Sequence, residues 1–75
     1  MDLEEKIAAF LRANLCCPIC DDCIGKQVRA TIEDVRLATL SLKRKLGFVA
    51  ATTTCMKCHH RKPTIRAVRR EKQVD

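Results

Sequence analysis

The sequence predicts an α+β domain of three helices followed by a two-stranded hairpin. Three observations lead there. Apolar residues recur at helical spacing in the segments before Gly47, and β-branched residues gather after it. Paired cysteines stand on both sides of the third helix, at 16, 17, 20 and 23 and again at 55 and 58. At 75 residues the chain is one domain at most, assigned to residues 1–69, with 70–75 a charged tail.

The first helix is "DLEEKIAAFLRAN". Asp2 caps it, Glu4 and Glu5 suit its positive end, and Leu3, Ile7, Phe10 and Leu11 form one face. Asn14 is its stop, and Pro18 blocks helix continuation through "LCCPICDDC". "DDCIGKQV" makes one or two further turns, weakened by Gly25 at about 1 kcal/mol relative to Ala. "TIEDVRLATLSLKRKLG" is the clearest helix, with Thr31 and Asp34 opening it and Gly47 closing it. In that helix Val35, Leu42 and Leu46 share a face flanked by Ile32 and Ala38. Leu37 and Leu40 fall elsewhere, and Arg36 and Lys43 form a basic stripe between the two groups. "FVAATTTC" and "KPTIRAV" read as the strands, joined through "CMKCHH".

Such a small chain buries a marginal core, and its aromatic residues are only Phe10 and Phe48. A staple is therefore expected. The N-terminus lacks the basic start and continuous apolar run of a secretory signal, and no segment is apolar enough to span a bilayer. The expectation is a cytoplasmic chain with reduced thiols, where C-x-x-C pairs favour metal over disulfides.

C-x-x-C occurs at 17/20, 20/23 and 55/58. Two such turns close a tetrahedral zinc site, and binding energy there is folding energy. Cys20 and Cys23 enclose two acids at a helix start, where the helix end favours thiolates, so the expected ligands are Cys20, Cys23, Cys55 and Cys58. Cys17 with Cys20 is the competing pair, and Cys16 is a spare. Cys55-Met56-Lys57-Cys58-His59 also fits haem attachment. That reading lacks a leader, an aromatic pocket and a distal methionine outside the motif, so no haem is expected. An iron–sulfur cluster on 17, 20 and 23 would need a remote fourth ligand, and a dithiol redox switch is a further alternative.

The charge is divided unequally. Residues 1–34 carry a net −3 and residues 35–75 a net +9, together the +6 of the chain. One zinc held by four thiolates lowers this to about +4. A basic half invites a polyanion or an acidic partner. No phosphate loop and no H-E-x-x-H is present, and four cysteine ligands leave no open metal position, so an enzyme is not expected.

Helix, short helix, longer capped helix and hairpin is the order of a small winged helix-turn-helix. "LCCPICDDCIGK", "IEDVRLATLSLKRKLGF" and "CMKCHHRKPTIRA" resemble small bacterial zinc-binding, winged-helix-like proteins. Those carry C-D-D-C near a short helix and C-x-x-C in a C-terminal hairpin. The resemblance covers nearly the whole chain and implies one structural zinc on Cys20, Cys23, Cys55 and Cys58. Winged helices usually place apolar residues four and seven before the closing glycine, and here those positions are Lys43 and Leu40.

The expected function is a zinc-stabilised regulatory module on double-stranded DNA. Arg29, Arg36, Lys43 and Arg44 would face the duplex, and Lys57, Arg61, Lys62 and Arg66 its phosphates. The alternative is a zinc-bearing adaptor whose Leu37 and Leu40 dock a protein partner or a second copy.

Overall fold

The computed structural model describes residues 2–68. Arg69 and the tail assigned to 70–75 lie outside them. The element order is α1 (Leu3–Ala13), β1 (Ile19–Cys20), α2 (Asp21–Val28), α3 (Ile32–Leu42), β2 (Phe48–Thr54) and β3 (Arg61–Ala67). The class is α+β with three helices, as the sequence predicts. The sheet differs: it has three antiparallel strands in the order β1-β3-β2, where the sequence gives a two-stranded hairpin.

The helix starts follow their caps. Asp2 accepts the Glu5 N–H at 3.0 Å, and Thr31 accepts the Asp34 N–H at 3.2 Å. Asn14 ends α1, its side-chain amide donating to the Phe10 carbonyl at 2.9 Å. Arg29 ends α2 in the left-handed conformation, at φ 58°. α3 stops at Leu42, earlier than its sequence pattern suggests. Arg44 and Lys45 donate three residues back, to Ser41 and Leu42, so the chain continues as tight turns and not as helix. Gly47 then takes φ +96°, which glycine adopts without the usual side-chain clash. Leaving the helix swings Leu46 away from the core, where it is 76% exposed. Val35, Ala38 and Leu42 remain buried as expected.

The core is almost wholly aliphatic, with Phe48 its one buried aromatic residue. Ile7 and Leu11 of α1 meet Ile24 of α2, Val35 and Leu42 of α3, and Ile19, Phe48, Ile65 and Ala67 of the sheet. Gly25 is buried where α2 meets α3. A β-carbon there would stand 3.0 Å from the Ala30 carbonyl oxygen, so the residue that weakens α2 also lets it approach.

β2 and β3 pair without a bulge from Phe48↔Ala67 to Thr54↔Arg61. Cys55 N–H donates to the His60 carbonyl at 2.9 Å and Val68 N–H to that of Gly47 at 2.8 Å. With that register, odd-numbered residues of β2 bond β3, and even-numbered ones turn their backbone groups to the outer edge. On β3, Pro63 turns its donor-less nitrogen away from β2, towards the side where β1 spans only Thr64 and Ile65.

Candidate metal centre

Two short turns build the site. Cys20 ends β1 and is the N-cap of α2, and Cys23 lies in the first turn of that helix. Cys55 follows β2 directly and Cys58 closes the turn that leads to β3. Pairing β1 with β3 sets the first turn beside the hairpin end, and the Met56 N–H donates to the Pro18 carbonyl at 2.9 Å to tie them together.

All four Sγ atoms lie within 4.8 Å of one another. Cys20 Sγ is 3.8 Å from Cys58 Sγ, and Cys55 Sγ is 3.8 Å from Cys23 Sγ. A tetrahedral ion with metal–sulfur bonds of about 2.3 Å separates its sulfurs by about 3.8 Å. The spacing thus suits one mononuclear ion. A cluster with sulfides and several irons between its ligands needs a wider set. The sulfurs that a haem would take, on Cys55 and Cys58, are turned towards Cys20 and Cys23.

The surroundings suit thiolates. Cys55 Sγ accepts the backbone N–H of Cys20 and of Lys57, each at 3.3 Å. Burial pushes the Cys55 thiol up, but N–H groups of Cys58, Cys20 and Lys57 outweigh it and bring the thiol down to about 6. Cys23 moves the other way, to about 12, through burial and the three neighbouring sulfurs. Burial also raises Cys20. Four sulfurs this close cannot all ionise alone, and a bound cation would supply the missing compensation. Cys20 and Cys55 are buried while Cys23 and Cys58 are half-buried, so the cluster sits between core and surface. The cluster brings Cys20 and Cys23 together with Cys55 and Cys58 and does not include Cys16 or Cys17. His59 and His60 are exposed in the same connection.

The basic residues fall in separate places. Arg36, Lys43 and Lys62 line one groove of about 610 Å³ between α3 and the sheet, together with Leu40, Ala51 and Thr64. Two of them have acidic partners that the sequence reading did not pair: Lys62 Nζ lies 2.9 Å from Asp22, and Arg36 Nε 3.9 Å from Asp21. The Lys62 ammonium holds the Asp22 carboxyl below its ordinary range, while burial raises that of Asp21. Arg29 sits at the α2 cap and Arg44 in the turn after α3. Arg61 and Arg66 are on β3. Lys57 lies over the Phe10 ring, 5.9 Å from its centroid, beside the metal turn. Leu37 and Leu40 are 67% and 52% exposed on α3.

The chain matches no protein-family model, no curated protein and no solved structure. Among the described residues, no helix is long and apolar enough to cross a membrane.

Proposed function

We propose that the chain is a zinc-stapled, winged-helix-like module that binds double-stranded DNA, acting as a regulatory protein in the cytoplasm. One observation supports this reading: the order α1-β1-α2-α3-β2-β3 with a β1-β3-β2 sheet is compatible with a winged-helix topology. Zinc suits four thiolates at tetrahedral spacing, and full coordination by protein makes it structural.

The metal also decides how the duplex is met. Cys55 and Cys58 pin the hairpin end to the start of α2, so that end is not available to enter a minor groove. Contact falls to α3, the turn that follows it and β3, through Arg36, Lys43, Arg44, Arg61 and Arg66. Glu33 and Asp34 at the start of α3 repel phosphate, which shifts docking to the C-terminal half of the helix. The test is fluorescence anisotropy of a random duplex titrated with the zinc-loaded chain. Four to five phosphate contacts give a salt slope of about −4. Reversing Lys43 and Arg44 to glutamate abolishes binding while leaving the metal in place. A chain that binds no duplex at 20 mM salt, roughly the weak-screening regime, is not a DNA-binding module.

The exposure of Leu37 and Leu40 favours a second reading, an adaptor that docks a partner on α3. Under it, Leu37→Asp with Leu40→Asp keeps the fold and the metal but loses partner capture or self-association.

A further inference from the structure

We propose that β2 is a dimer interface: two copies of this chain pair their β2 edges antiparallel, about a two-fold axis at Ala51, into one six-stranded sheet. The inference does not depend on the DNA reading.

β2 is the outer strand of the β1-β3-β2 sheet, and it is seven residues long. Exposed edges usually carry a lysine, a proline, a bulge or a covering element, because bare backbone groups recruit another strand. β2 has none of the first three. Its sequence is Phe48-Val49-Ala50-Ala51-Thr52-Thr53-Thr54, and its register with β3 is unbroken. The uncharged stretch runs further, from Leu46 to Met56, in a chain where 32% of residues are charged. The lysines that bracket it are drawn aside, Lys45 to Glu4 and Lys57 over the Phe10 ring.

This edge is complementary to itself. Phe48, Ala50, Thr52 and Thr54 turn their N–H and C=O groups outwards, as the bonds at its two ends require. Centring the two-fold on Ala51 sets residue 48 opposite 54 of the second copy, and 50 opposite 52. Each of these four pairs exchanges two bonds, so every outward group of the strand is satisfied. The same register brings Leu46 of one copy to the end occupied by Met56 of the other. Those two are 76% and 53% exposed in the single chain. A net charge of +6 opposes self-association in general, and this stretch is where two copies meet without opposing charges. A two-fold pairing of identical edges closes on itself and leaves no growing end.

The experiment is sedimentation equilibrium of the zinc-loaded full chain, with amide hydrogen exchange of the same sample. Expected are a monomer–dimer equilibrium and slowed exchange at Ala50 and Thr52, whose amides β3 does not use. Thr52→Pro removes a donor that β3 does not use, and should weaken the dimer roughly a hundredfold or more with metal content unchanged. Ala50→Lys, a charge on an exposed side chain of the same edge, serves if the proline variant fails to fold. A chain that stays monomeric at millimolar concentration overturns the proposal. So does a dimer that survives both changes but dissociates with Leu37→Asp and Leu40→Asp, which would place the interface on α3.

Discussion

Removing the metal is the perturbation with the largest expected effect. Cys23 and Cys55 are 32 residues apart, and an ion held by the four-cysteine cluster would join the two turns that contain them. Treated as a cross-link over that span, it removes loop entropy from the unfolded chain equivalent to about 4 kcal/mol at 25 °C. A domain of this length has a total stability of roughly 4–11 kcal/mol. The cross-link therefore supplies a third or more of it, before the metal–sulfur bonds are counted. At about 4–8 °C per kcal/mol, chelation lowers the melting temperature by about 16–32 °C. The assay is far-UV circular dichroism on zinc-loaded and chelated samples, with metal measured in each. Cys23→Ser reproduces most of the loss, and Cys16→Ser, outside the cluster, leaves both metal and melting temperature unchanged. A metal-free sample melting within about 5 °C of the loaded one would refute the cross-link, because that is about 1 kcal/mol.

Other outcomes follow from individual contacts. Gly25→Ala gains about 1 kcal/mol of helix propensity but places a methyl 3.0 Å from the backbone carbonyl oxygen of Ala30, a residue whose N–H is held by the Gly25 carbonyl; a net loss of about 1 kcal/mol should appear as a lower urea midpoint. Leu42→Ala, at 1% exposure, should cost about 2–5 kcal/mol, whereas Leu37→Asp with Leu40→Asp should leave the melting temperature almost unchanged. Metal-held thiols titrate below their unfolded value of about 8.5, so their stabilisation is complete above it and is lost as pH falls, with release of the ion. Asp22 is likewise depressed, by Lys62, and its smaller contribution disappears at more acidic pH; Asp22→Asn should flatten that limb of a stability–pH curve alone.

What could be read from the sequence was what is decided locally. Asp2 and Thr31 cap the helices they precede because capping involves residues three apart. The two C-x-x-C turns announce themselves because a metal knuckle is four residues long. β1 is different: two residues carry no alternation, and Ile19-Cys20 becomes a strand only because β3 arrives beside it. The end of α3 was hidden for the opposite reason. Leu46 continues the apolar period, but the chain has to turn back to start β2, and tertiary geometry overrides the pattern. The partners of Arg36 and Lys62 were also illegible, since Asp21 and Asp22 lie 15 and 40 residues away in the chain.

Each metal-binding turn is complete within four residues, which bears on how the chain reaches its native state. An unfolded chain can hold an ion at either turn with two thiolates, the remaining positions taken by water. Folding then exchanges those waters for the opposite turn. An ion bound this way would be present before the hairpin and α2 meet, and its concentration would enter the rate of refolding as well as the final balance. With excess ion, both turns fill separately, and the second ion has to leave before the ring can close. Refolding should therefore be fastest near one equivalent and slow down beyond it.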